Sequence, residues 1–475
     1  MFNIKCLFDY QTPNQISVPP YKYTEVSLNN PNRLLVQHEI KQTANNQCIC
    51  EMVLSDQELD FKRASKVINY INWLYPFLSS KIVYDESVKW MRYEQQEIFK
   101  YNIEDYNENI RSLDELGNYI SGAHLKLSDS KLSNWEIIRF SIDELQNIKT
   151  ALVVQIYHTL VDGGAAMMLF KKFNVLYSDM SIDLDIQPKP LQLSNYRSIM
   201  SYDSKLNLKQ TELNNRRKFQ LSKFSNQSTA KKNENFPIIV RHYAESQICR
   251  IQSVQHSVSL YTVQMAQYVG FLYFNKDLHA DSPFVTLCAD IRRNIDVHER
   301  GAIKNLDFNN DVIGQTATTT GFLSKGTLQT TLREIANQFQ TQFKNYKQSD
   351  ENFWQRVIDN ELPVNHLEYL ESGQPFSIFT SNMGKMDLAN GPMVHFLGSQ
   401  TFANVYQNVP AVFSSCFGRG KFGVFITEID FKIFNKEQKK AFQTVYIEIN
   451  KQVIEKGAEN VNIQDVVNIY SQRWK

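Results

Sequence analysis

The stretch ALVVQIYHTLVDGG, residues 151–164, constrains this chain more than any other. It opens with Leu152, Val153, Val154 and Ile156, an apolar and largely β-branched run that predicts a strand. His158 stands at the strand's exit, Asp162 follows on the way out of the turn, and Gly163 and Gly164 come next. Beyond them Met167, Met168, Phe170, Phe173 and Leu176 recur at helical spacing. The block reads strand, tight turn, helix. The chain holds 17 Gly in 475 residues, so an adjacent pair argues for backbone that needs positive φ or close approach.

A histidine at a strand end has the chemistry of a general base, because its unperturbed pKa lies near about 6.5. Asp162 could orient that ring, or turn away toward an arginine as a structural latch. Taken alone, H-x-x-x-D describes a core histidine beside a helix-capping aspartate equally well. Three further segments sit where elements are predicted to end. Pro76-Phe77-Leu78-Ser79 follows the first long helix, Ala289-Asp290-Ile291-Arg292 leaves one strand, and Ser381-Asn382-Met383-Gly384 leaves another.

The length suits two domains or one large two-lobed domain. Residues 1–177 form an N-terminal lobe carrying the histidine motif. Residues 178–237, rich in Ser, Asn, Gln and Lys, read as a crossover linker. Residues 238–475 form a C-terminal lobe. Strands are expected at Gln47–Leu54, Lys81–Tyr84, Val88–Tyr93, Trp135–Ile142, Ile251–Leu260, Phe284–Ala289, Asn310–Thr320, Pro375–Thr380 and Gly423–Ile429. Helices are expected at Asp56–Leu74, capped by Ser55 or Asp56, at Tyr261–Asn275, capped by Ser259, and at Leu328–Tyr346 and Lys436–Lys456. The fold class is therefore α/β, with mixed α+β sheets.

Several function classes lack their residues. With 51 Lys+Arg against 50 Asp+Glu, nothing argues for nucleic acid or an anionic membrane. Six cysteines without a C-x-x-C pair, and histidines outside any H-E-x-x-H set, argue against a metal centre. The scattered cysteines read as free thiols of a reducing compartment. The N-terminus lacks a signal-peptide pattern and no apolar run reaches membrane-spanning length, so a cytoplasmic protein without membrane insertion is expected. No G-x-S-x-G or P-loop occurs. Gly418–Gly423 spells G-x-G-x-x-G, but a strand rather than a helix is predicted after it, so it reads as a hairpin turn.

The block HTLVDGG resembles the H-H-x-x-x-D-G core of the chloramphenicol acetyltransferase-like acyltransferase superfamily. That superfamily includes condensation domains, BAHD acyltransferases, alcohol O-acetyltransferases and polyketide-associated acyltransferases. Residues 76–79 resemble its P-x-L-R segment, with Ser79 at the arginine position. Residues 289–292 resemble its V-D-x-R strand end, and residues 381–384 its S-N-x-G strand end. Tyr157 replaces the first histidine of the pair. Ser415-Cys416-Phe417-Gly418-Arg419-Gly420-Lys421-Phe422-Gly423 stands where BAHD enzymes carry D-F-G-W-G, so the alcohol O-acetyltransferase and polyketide-associated branches fit better.

The resemblance implies a two-lobed fold with a tunnel at the lobe interface. It implies a monomer that moves an acyl group from acyl-CoA to a hydroxyl or amine of a small molecule, without a covalent acyl-enzyme. His158 would be the base and Asp162 would pair with Arg292. Gly163 would keep the helix start open to the donor. Ser381 and Asn382 would hold the oxyanion or substrate, a role worth about 3 kcal/mol in such sites; as residues alone they read equally well as a strand-ending turn. No tightly bound cofactor or metal is expected, the acyl thioester being a co-substrate. Two alternatives remain: a condensation-type enzyme that takes its acyl group from an acyl carrier protein, and a non-catalytic binding module on the same fold.

Overall fold

A computed structural model describes residues 48–55, 57–87, 90–96, 105–106, 110–112, 115–116, 127–128, 130–142, 150–190, 238–245, 260–274, 284–290, 317–348, 378–382, 388, 390–402, 411–415, 422–430 and 436–474. The expected strand over 251–259, the cap at Ser259, most of the crossover segment and Arg292 lie outside the described residues.

The first half builds β1 (Cys48–Ser55), α1 (Phe61–Leu74), the hairpin strands β2 (Ser80–Asp85) and β3 (Trp90–Gln95), the short β4 (Asp105–Tyr106), β5 (Ser133–Arg139), β6 (Thr150–Tyr157) and α2 (Gly163–Ser178). The cap of α1 differs from expectation. The helix starts at Phe61, and the Asp60 side chain accepts from the backbone N–H groups of Lys62 and Arg63, at 2.9 and 3.2 Å. Ser55 instead ends β1 and donates to the Gln57 carbonyl at 2.7 Å. Pro76 opens a 3-10 turn, Pro76–Ser79, since its ring cannot continue the helix before it.

β6 is flanked on both sides by antiparallel neighbours, β1 and β5, and all eight of its residues are buried. Alternate residues go to opposite faces, as the pleat requires. Leu152, Val154 and Ile156 join the core under α1 and α2, while Ala151 and Val153 join a second core with Cys50, Met52 and Phe140. A strand covered on both faces reads as a continuous apolar run rather than an alternating one, which explains ALVVQIY.

The second half builds β7 (Ile238–Glu245), α3 (Leu260–Phe274), β8 (Phe284–Asp290), β9 (Ala317–Leu323), α4 (Leu332–Gln348), β10 (Ile378–Asn382), β11 (Met393–Phe402), β12 (Ala411–Ser415), β13 (Phe422–Asp430), α5 (Lys436–Lys456) and α6 (Ile463–Arg473). Six of these strands form one sheet in the order β7-β13-β12-β10-β8-β9. β10 runs parallel to both β8 and β12, and the outer pairs are antiparallel. β12 and β13 are antiparallel neighbours, and Phe422 and Gly423 already belong to β13, so the G-x-G-x-x-G stretch runs into a strand and not into the helix that a dinucleotide fingerprint requires. α3 through α6 share a core rich in aromatic rings, with Phe271 edge-on to Phe442 at 4.9 Å. Gly270 permits the closest contact there: a Cβ on it would come within 2.5 Å of Val466 Cγ1.

β11 does not join the second sheet. It pairs antiparallel with β1, from Cys48 opposite Phe402 to Ser55 opposite Met393, so the first sheet has the order β11-β1-β6-β5-β4. It also packs beside β12 and β13. One strand from late in the chain thus closes the edge of the sheet that carries the histidine motif.

Candidate active site

The turn after β6 is closed by the Leu160 N–H donating to the Tyr157 carbonyl at 2.9 Å. Every residue from Tyr157 to Asp162 is buried except His158, which keeps partial solvent contact. Thr159, Leu160 and Val161 anchor the turn inward, and His158 is the residue among them that is not fully covered.

Desolvation pushes the His158 pKa below its ordinary value; a hydrogen bond to its own backbone carbonyl and the nearby Asp162 carboxylate oppose that shift without overcoming it. Only Nδ1 can reach the residue's own carbonyl. The neutral ring therefore keeps its proton on Nδ1 and has Nε2 as its basic nitrogen. The unfolded ring protonates near pH 6.5 and the folded ring only at lower pH, so the unfolded state binds more protons in that window. Stability accordingly falls as the pH drops below about 6.5. Wild type is expected to lose melting temperature relative to His158→Gln between about pH 7 and 5.5. Parallel melting curves would contradict the depressed value.

Asp162 is 2% exposed and caps α2, its Oδ1 accepting from the Ala165 N–H at 2.8 Å. Gly163 is the first helical residue. Asparagine caps about as well as aspartate, whereas alanine costs about 1 kcal/mol. Asp162→Ala is thus expected to lower the melting temperature through the cap. Any loss in Asp162→Asn isolates the carboxylate's charge, and equal melting of Asp162→Asn and wild type would remove the case for an ion-pair partner.

The helix behind the turn is fixed along its length. At its C-terminal end the Arg63 guanidinium of α1 donates to the carbonyls of Tyr177, Leu176 and Asp179, at 2.7, 3.1 and 2.8 Å, where the helix dipole favours a cation. In its middle Asn174, fully buried, donates to the carbonyls of Leu388 and Met393, at 2.7 and 2.8 Å. Its Oδ1 accepts the Met393 N–H at 2.9 Å. The side-chain amide thus acts as a peptide group that ties α2 to the start of β11. Nothing in the sequence marked this asparagine, because its partners are backbone groups of a distant segment.

His158, Asp162 and Gly163 therefore share one turn. Ser381 and Asn382 close β10, the middle strand of the parallel trio, with Ser381 opposite Cys288 and Phe413 and Asn382 opposite Ser414. Residues 381 and 382 thus lie at the C-terminal end of β10, an edge of the sheet at which open α/β sheets gather ligands, while Arg292 lies outside the described residues. Among the described residues no group of three His, Cys, Asp or Glu is arranged to hold a metal ion. No helix among them is long and apolar enough to cross a membrane.

The architecture matches solved structures over nearly its whole length. The first condensation domain of the calcium-dependent antibiotic synthetase, in complex with a substrate analogue, superposes with a TM-score of 0.62 at 8% identity, over 91% of this chain and 99% of that one. The fold is that of condensation domains. The starter condensation domain of rhizomide synthetase, in complex with C8-CoA, gives 0.61 at 10% identity, over 91% and 96%. Polyketide synthase associated protein 5 from Mycobacterium tuberculosis gives 0.59 at 12% identity, over 89% and 98%. No family model and no curated protein sequence matches the chain.

Proposed function

We propose that this chain catalyses direct acyl transfer from a phosphopantetheine-type thioester to a hydroxyl or amine, with His158 as general base. The observation that carries the reading is His158: the one residue from Tyr157 to Asp162 that keeps solvent contact, with its pKa held low by desolvation of the ring. In the reaction Nε2 takes the proton of the acceptor O–H or N–H as that atom attacks the thioester carbonyl. The tetrahedral adduct collapses, the C–S bond breaks, and the imidazolium returns its proton to the leaving thiolate. Ser381 and Asn382, or N–H groups beside them, steady the oxyanion; Arg292 pairs with Asp162, and Gly163 keeps the helix start open. Residues 1–177 and 238–475 act as two lobes joined by 178–237, β11 being lent across, with the base midway along a tunnel between them.

The likeness to condensation domains supports a carrier-protein-borne donor over the free acyl-CoA expected from sequence. Free acyl-CoA is retained as a second reading because one of those structures holds C8-CoA. Incubation of the protein with acyl-CoA and with acyl-loaded carrier protein, each with pooled acceptors, separates the two by free-thiol release. Release from the carrier alone supports the first reading, and release from CoA alone overturns it.

A further inference from the structure

The two halves of the proposed site stand on different sheets. His158 leaves β6 of the first, Ser381 and Asn382 close β10 of the second, and no described strand is hydrogen-bonded into both. Their separation decides the chemistry. Base and oxyanion donors must flank one carbonyl, and a misplacement of about 1 Å can cost about 10²-fold in rate. The chain that leaves β10 enters the first sheet as β11, so this connection ties one half to the other.

The Asn174 amide grips that connection before it reaches the sheet. Its Nδ2 donates to the Leu388 and Met393 carbonyls, and its Oδ1 accepts from the Met393 N–H. Leu388 lies six residues beyond Asn382, a reach of about 21 Å at full stretch. Without the clamp, the first strand pairing after Asn382 is Met393 opposite Ser55, eleven residues on, with a reach of about 38 Å. Gly391 lies against the same amide: a Cβ there would meet Asn174 Cγ at 2.5 Å. Among the described glycines Gly457 is the one with positive φ, so close approach, not backbone conformation, requires glycine at 391. On the other side α2 is one unbroken helix from Gly163. About 18 Å of it joins Asn174 to Asp162 and the turn of the base.

We infer that Asn174 is a positioning residue for the reaction. It shortens the tether between β10 and the first sheet, and so holds the Ser381–Asn382 strand end at its working distance from the His158 turn. It touches no substrate. A side-chain amide suits the task, because two donors and one acceptor grip carbonyl and N–H groups at once. The inference rests on the proposed acyl transfer, with residues 381 and 382 beside the oxyanion. When the clamp slackens, His158 stays where Thr159, Leu160 and Val161 hold it, while the strand end gains play. The loss then falls on the transition state and leaves thioester binding near its wild-type value.

Two variants test it. Asn174→Gln lengthens the amide by one methylene, and Gly391→Ala pushes the connection off it. Val466→Ala, in the helical core of the second half, is the control that destabilises elsewhere. All are assayed as full chains with octanoyl pantetheine thioester, well below their melting temperatures. Both clamp variants should lose at least about tenfold in kcat, with KM for the thioester within about twofold, while Val466→Ala keeps wild-type kcat. A kcat in both equal to that of Val466→Ala would overturn the inference. Hydrogen exchange reads the clamp without turnover: the amides of Ser381 and Asn382 should exchange faster in the two clamp variants than in Val466→Ala. That result, with no transfer by wild type, would sink the acyl-transfer reading and keep the mechanical link. Unchanged exchange at 381 and 382 would sink the link itself.

Discussion

His158→Ala is expected to lower turnover by a factor on the order of 10²–10⁴, the usual worth of a positioned general base. That range corresponds to about 3–5 kcal/mol of transition-state stabilisation. The loss should fall on kcat more than on KM, because Nε2 engages the acceptor proton only as the new bond forms. The turn itself should survive. Its inward anchors are Thr159, Leu160 and Val161, and its closing hydrogen bond joins backbone groups. Thiol release in the presence of acceptor measures the effect, with melting temperature as the control for folding. Turnover within a factor of about three of wild type would remove His158 from the base role, since general acid–base catalysis is worth far more.

The second large effect concerns stability. Asn174→Ala removes three buried hydrogen bonds at once and leaves two carbonyls and one N–H near the start of β11 without their partner. Each orphaned buried group costs about 1–3 kcal/mol, so a loss of about 3–5 kcal/mol is expected. Asn174→Asp should be no milder, for it keeps an acceptor for the Met393 N–H but sets a carboxylate against two carbonyl oxygens. Gly391→Ala tests the same contact from the other side. Its Cβ would lie 2.4 Å from the Asn174 Cβ, an atom close to the backbone that cannot swing away. Urea or thermal unfolding reads all three; a shift below about 1 kcal/mol in Asn174→Ala would show that the clamp is idle.

The strand–turn–helix block was legible because three local signals agree there. Apolar, largely β-branched residues fill Leu152–Ile156 except at Gln155, Asp162 stands at the cap position, and the period changes to helical after Gly164. The start of α1 was placed too early because Ser55, Asp56 and Asp60 are all good caps, and only tertiary packing selects the last. β11 escaped notice because MVHFLGSQTF mixes Gly, Ser and Gln into a strand whose place is decided by its partner. Pairing between segments so far apart leaves no mark at short range. The burial of Gln155 was hidden for the opposite reason: within ALVVQIY one polar residue looks like the solvent side of an alternating strand, whereas both faces are covered.

The pairing of Cys48–Ser55 with Met393–Phe402 also governs when the protein can fold. During synthesis the early strands must wait at an open sheet edge until most of the chain has left the ribosome. Such long-range closure is slow and leaves the waiting edge prone to join other chains. Severing the polypeptide within 178–237 would then give an amino-terminal piece that ends with β1 uncovered, and the two pieces should become soluble only when produced together.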